Sequence, residues 1–230
     1  MKKIILLALL PACLALQPFS EKPVGAWEKK VEGITHTLVI VDDYYSLSIF
    51  DVNAKRFIHT EGGTCRVDKD MMNGEIEYNT TDKTQVGRGY AFTFSMNGTN
   101  MKTFRDGKDD VWVRTDDGKG PLAGNWRITA REQAGKMVEI KPAARKTIKL
   151  LSGKRFQWAA INSETGDFFG TGGGSYTFEQ GKYTEHIDFF SRDSSRVGMS
   201  LSFDGKVLGR NWQHSGKSSK GEPINETWSR

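Results

Sequence analysis

The chain has 230 residues, of which 37% are hydrophobic and 27% charged, with 25 Gly against 6 Pro and a formal net charge of +5. This composition excludes a polytopic membrane protein, a collagen-like fibre and a wholly disordered chain. An aromatic share of 11%, spread through short runs rich in Thr, Tyr, Phe and Trp between Gly residues, marks a β-rich protein.

At the N-terminus, Lys2 and Lys3 precede an apolar stretch from Ile4 to Leu16, interrupted by Pro11. This is shorter than the roughly 20 apolar residues a helix needs to cross a bilayer, so residues 1–17 read as a secretory signal peptide and not as a membrane span. Leu10-Pro11-Ala12-Cys13 offers a lipidation box that would make Cys13 an N-terminal lipid anchor; ordinary cleavage near Ala15 to Gln17 is the alternative. Either route places the mature protein in the periplasm, the cell envelope or the medium of a bacterium. Loss of Cys13 leaves Cys65 alone, so no intramolecular disulfide is expected and Cys65 reads as a small packing residue.

The rest of the chain is an internal repeat. Gly25-Ala26-Trp27 is echoed by Gly124-Asn125-Trp126, and Glu61-Gly62-Gly63-Thr64-Cys65 by Gly172-Gly173-Gly174-Ser175-Tyr176. From Phe57 to Gly87 the offset to the matching residue stays at 111 without a gap. Each half closes alike, Trp112-Val113-Arg114 against Trp228-Ser229-Arg230. Two domains follow, 25–118 and 124–230, joined by a polar linker at 119–123 too short to let them roam.

Within each half the period is two. Tyr183, Glu185, Ile187 and Phe189 alternate with Thr184, His186 and Asp188, and Met199, Leu201 and Phe203 alternate with Ser200 and Ser202. Turn signals such as Glu179-Gln180-Gly181-Lys182 separate the runs, giving antiparallel meanders whose one apolar face is buried by closing into a barrel. The predicted fold is all-β, two small up-and-down antiparallel barrels in tandem, with a short helix allowed only over 133–144. The Gly172-Gly173-Gly174 run lacks the Lys and helix of a phosphate loop and predicts a bulge or barrel bend.

Gly-x-Trp on the first strand with an Arg closing the last resembles the calycin signature of lipocalins, in which the Arg packs over the Trp. It occurs twice, as Gly25, Trp27 and Arg114 and as Gly124, Trp126 and Arg230. The second half also resembles small lipocalin-like domains of secreted bacterial proteins; the first is a degenerate copy, with Gly74 where the second has Glu185. The resemblance implies a lipocalin-like barrel in each half.

Residues 25–118 carry 12 basic and 16 acidic residues, whereas residues 124–230 carry 17 and 11. An acidic domain is therefore joined to a basic one, which favours their docking. No dense basic run interleaves with aromatics, so nucleic acid is not an expected partner. Four scattered His residues, and the lack of CxxC, HExxH and Gly-x-Ser-x-Gly motifs, predict no metal, no cofactor and no recognisable catalytic set.

Glu185 stands out, because strand parity turns its carboxylate to the apolar, inward face, where it needs a partner. Arg210, His214 and Arg230 are the candidates. The pocket expected around it is lined by Trp158, Tyr176, Tyr183, Arg210, Trp212 and His214. Three functions stay open: an exported non-catalytic protein holding a small apolar or amphipathic ligand in the second barrel; a cell-surface interaction module with filled barrels; and a barrel isomerase or cyclase using Glu185 with His214.

Overall fold

The computed structural model describes residues 22–230, so the expected signal peptide and Cys13 lie outside the described residues. The first repeat forms β1 (Gly25–Val31), β2 (Ile34–Val41), β3 (Tyr44–Asp51), β4 (Arg56–Thr64), β5 (Arg66–Asp68), β6 (Met71–Asn79), β7 (Gly89–Asn97), β8 (Asn100–Arg105) and β9 (Lys108–Asp116). The second forms β10 (Gly124–Gln133), β11 (Lys136–Glu139), β12 (Arg145–Leu151), β13 (Arg155–Asn162), β14 (Asp167–Glu179), β15 (Lys182–Phe190), β16 (Ser200–Leu208), β17 (Asn211–Lys217) and β18 (Pro223–Ser229). All pairings are antiparallel, and β4–β6 and β10–β18 close the two rings into barrels of eight strands each. Strand β5 prolongs β4 beyond Cys65, where the second repeat has the single long strand β14. No helix among the described residues is long and apolar enough to cross a membrane.

The hairpins follow from turn chemistry. Glu32-Gly33, Asp106-Gly107, Ala134-Gly135 and Gln180-Gly181 all have positive φ at both residues, the two-residue loop whose twist matches that of the flanking strands. Ala134-Gly135 therefore turns β10 into β11, so the segment 133–144 holds a strand hairpin followed by irregular chain from residue 140, with no helix. The glycine run does make a bulge, between Gly173 and Gly174, matched by one between Gly62 and Gly63. A Cβ on Gly174 would lie 1.9 Å from the His186 carbonyl oxygen, and one on Gly63 at the same distance from that of Glu75. Only glycine lets the strands approach so closely there.

Each barrel has a closed end built in the same way. The Trp27 indole N–H donates to the Pro23 carbonyl at 2.9 Å, and that of Trp126 to the Leu122 carbonyl at 2.7 Å. The Arg114 guanidinium lies 4.5 Å from the centre of the Trp27 ring, and Arg230 the same distance from Trp126. Leu122, within the segment read as linker, is fully buried in the core of the second barrel.

The barrels dock side to side through a shared apolar layer of Ala26, Val39, Val41, Tyr44 and Tyr78 against Ile148, Leu150, Ala159 and Ile161. Equivalent positions of the repeat meet each other, as in a two-fold interface. Phe57 stacks on Phe168 at 6.4 Å with ring planes 7° apart, and the Ser46 hydroxyl donates to the Gln157 side-chain oxygen. Gln157 also accepts from Ser48 (2.8 Å) and donates to Thr60 (2.8 Å) and Thr171 (3.1 Å), so this buried amide is satisfied on every side. Charge contributes at the margins: Lys146 reaches Glu77 at 2.7 Å, and Asp116 accepts from the Gly153 and Lys154 backbone N–H groups. The acidic–basic split thus borders a seam whose centre is apolar and hydrogen-bonded.

Candidate functional site

A cavity of about 410 Å³ opens at the end of the second barrel opposite the Trp126–Arg230 closure. Its size is within the ~300–1,000 Å³ typical of small-molecule sites. The equivalent interior recess of the first barrel, beside Glu61, measures about 80 Å³, the Glu61 carboxylate being engaged by Arg105 at 2.6 Å and by Asn79 at 3.2 Å. A separate recess of about 420 Å³ in that half lies around the β4–β6 bulge, between Asp43, Cys65, Gly74 and Tyr90.

Strand parity turns Phe156 and Trp158 of β13, and Glu185 and Ile187 of β15, towards this cavity. The β14–β15 bulge then shifts the parity of β15 by one residue. Phe189 consequently faces the first barrel, stacked on Phe50 at 4.6 Å, and Phe190 takes the cavity position, 5.4 Å from Trp158. A register shift between Ile128 and Ala130 does the same on β10 and brings Arg131 to the cavity.

The partner of Glu185 is Lys149, which none of Arg210, His214 and Arg230 replaces. The Lys149 ammonium donates to the Glu185 carboxylate at 2.8 Å, with side chains only 6% and 7% exposed. Its Nζ also lies 5.0 Å from the Trp228 ring centre, 5.2 Å from Tyr183 and 5.4 Å from Trp212, an aromatic surround that favours a cation. A second carboxylate, Glu226, accepts from Arg131 at 2.9–3.0 Å and from the Trp228 indole at 3.1 Å. Although burial opposes it, His214, Lys149 and Arg131 together hold the Glu226 carboxyl below its usual range.

Among the described residues, His214 is one of three groups at the site, with the Tyr183 hydroxyl and the Trp212 indole, that make no hydrogen bond. Its ring stacks among Phe203 (4.2 Å), Trp212 (5.1 Å) and Tyr183 (5.7 Å). Both ring nitrogens are buried without a hydrogen-bond partner, since Glu226 stands 3.7 Å from Nδ1. Burial, helped by the Lys149 charge and opposed by Glu226 and Glu185, lowers the His214 pKa, so the ring is neutral at pH 7. A neutral imidazole presents one donor and one acceptor. The Tyr183 hydroxyl is likewise unpartnered, and burial beside Glu185 keeps it protonated.

Of the seven residues expected to line a pocket, Trp158, Glu185 and His214 do so. Tyr183 and Trp212 are fully buried as part of the packed core around Lys149, and Tyr176 closes the layer below, its hydroxyl donating to the Ser152 carbonyl at 2.6 Å. Arg210 does not enter the barrel. It stands exposed before the first residue of β17, its Nε donating to the Arg230 carbonyl at 2.5 Å, because strand parity does not extend into a turn. Sequence reasoning missed Lys149, Arg131 and Glu226. Glu226 had a signal, since it shares the parity of Trp228; Arg131 had none, because the register shift reverses its face. No protein-family model, curated protein or solved structure matches the chain. Function must therefore be argued from the site.

At the mouth, Arg145 lies over the Phe169 ring, 3.6 Å from its centre, and Arg192 reaches in from the turn after β15. Apolar walls, a polar floor and a cationic rim suit binding of an amphipathic molecule better than a proton-transfer reaction, because both carboxylates already hold cations.

Proposed function

We propose that this is an exported, non-catalytic binding protein of the calycin kind, whose second barrel takes a small amphipathic molecule while the first barrel braces it. The observation that carries this reading is the open cavity of about 410 Å³ lined by Glu185, His214 and a set of aromatic rings inside the second barrel, against about 80 Å³ at the equivalent interior position of the first. Duplication supplied two similar shells, and at this interior position the second retains the larger space. Supporting it further, His214 is buried at the cavity with no protein group within hydrogen-bond distance of its ring nitrogens, Glu226 standing 3.7 Å from Nδ1, an arrangement that costs stability unless a ligand or water meets it. Export rests on the Lys2-Lys3 and apolar pattern of residues 1–17, and N-terminal sequencing of the exported protein should begin between Cys13 and Ser20.

The test is native mass spectrometry of protein purified from its own host, beside the variant Ala160→Trp, which puts an indole into the cavity. A small-molecule adduct on the wild type that is absent from the variant is expected. The bare chain mass in both, with no amphipathic probe bound to the wild type, would refute the reading.

A further inference from the structure

The charges around the cavity are not balanced. Four cations, Arg131, Arg145, Lys149 and Arg192, line it against two carboxylates, Glu185 and Glu226. Both carboxylates are used, by Lys149 and Arg131. Among the described residues, neither Arg145 nor Arg192 has a carboxylate within 4 Å, and both stand exposed at the mouth. The Arg145 guanidinium lies over the Phe169 ring, 3.6 Å from its centre, and the stem of Arg192 lies so close over Gly170 that a Cβ there would be 3.0 Å from its Cδ. Each is thus backed by a ring or by backbone on one side, while the guanidinium edges are unpaired by any carboxylate.

Resting on the ligand-binding reading above, we propose that the guest is an aromatic organic anion whose acidic group sits at the mouth between Arg145 and Arg192. An acidic group at the floor is disfavoured: Lys149 is already matched at 2.8 Å, and a further anion there would face Glu185 and Glu226 at low dielectric. The mouth arginines are unpaired and hydrated, so an anion meets them at little desolvation cost. The walls set the body of the guest. Phe156, Trp158, Phe169, Phe190, Phe203 and Trp228 line the space, and such surfaces favour a ring stacked or edge-on. At the inner end, His214 makes no hydrogen bond within the protein, Glu226 standing 3.7 Å from Nδ1, so its ring can meet a hydroxyl or carbonyl substituent.

A matched pair of fluorescent probes tests this: N-phenyl-1-naphthylamine, which is neutral, and the same skeleton carrying an 8-sulfonate. Both are titrated into the wild type, into Arg145→Gln/Arg192→Gln and into Ala160→Trp. The sulfonate should bind the wild type about tenfold more tightly than the neutral probe. That advantage should fall to within about twofold in the double arginine variant and shrink with added salt, and neither probe should enter Ala160→Trp. A thermal melt and near-ultraviolet circular dichroism spectrum matching those of the wild type report that the double variant's barrel is intact. Equal wild-type affinities for the two probes, or an advantage that survives loss of both arginines, would overturn the anion proposal and leave the binding reading standing. Failure of both probes to bind the wild-type cavity would overturn the two together.

Discussion

Replacing Glu185 by Gln keeps the shape of the side chain and removes its charge, which leaves the Lys149 ammonium inside the barrel without its counter-ion. The two side chains are 6% and 7% exposed and 2.8 Å apart, so solvent screens the pair little. Breaking a buried pair by removing one partner costs about 3–5 kcal/mol. Three rings within 5.0–5.4 Å of Nζ continue to stabilise the cation, and the amide oxygen still accepts a hydrogen bond, which puts the loss near the lower end, about 3 kcal/mol. For a protein of this size about 3 kcal/mol lowers Tm by roughly 6–12 °C. Urea denaturation and calorimetry of the wild type, Glu185→Gln, Lys149→Met and the double variant would measure the coupling. The double variant, with both charges gone, should recover most of the loss, because apolar replacements of buried pairs are often neutral or better. If Glu185→Gln melts within 2 °C of the wild type and the cycle shows no coupling, the pair is hydrated and the assignment of Lys149 as the structural counter-ion is wrong.

Arg230→Ala should destabilise the second barrel by about 0.5–2 kcal/mol through loss of its contact with Trp126, and amide exchange should rise around β10 and β18 while β1 and β9 stay protected; uniform exchange would contradict separate closures. Gln157→Leu should cost about 2 kcal/mol, since Ser46, Ser48, Thr60 and Thr171 lose a common partner in the buried seam, and denaturation followed from each barrel separately should lose coincidence. Because His214 has a lowered pKa in the folded protein, the unfolded chain takes up the proton first: its stabilising contribution is whole above about pH 6.5 and is lost as pH falls below that value. The urea midpoint should therefore drop on acidification from pH 7 to 5, and His214→Phe should flatten that slope; an unchanged slope would assign it to His36 and His59, whose pKa values are lowered as well, chiefly by burial.

Local chemistry written in the chain determined much of this protein. The offset of 111 between the repeats specified two copies of one shell, period-two runs between x-Gly turns specified meanders, and the resemblance of Gly-x-Trp with a terminal Arg to the calycin signature implied the Arg-over-Trp contact that closes each barrel. The inward placing of Glu185 followed from parity alone. Its partner did not. On β12 the apolar residues Ile148 and Leu150 alternate with Thr147 and Lys149, so parity makes the polar set the outer face. The barrel does the reverse, because Ile148 and Leu150 are buried against the first barrel and Lys149 is left for the interior. A strand covered on both sides carries no hydrophobic contrast from which its inward face can be read. The register shifts that bring Phe190 and Arg131 to the cavity are set by how strands close around a ring, and the room beside His214 is a difference between two packed volumes. Only the tertiary structure decides those, since they depend on which residues, from Arg131 to Trp228, come to share one enclosed space.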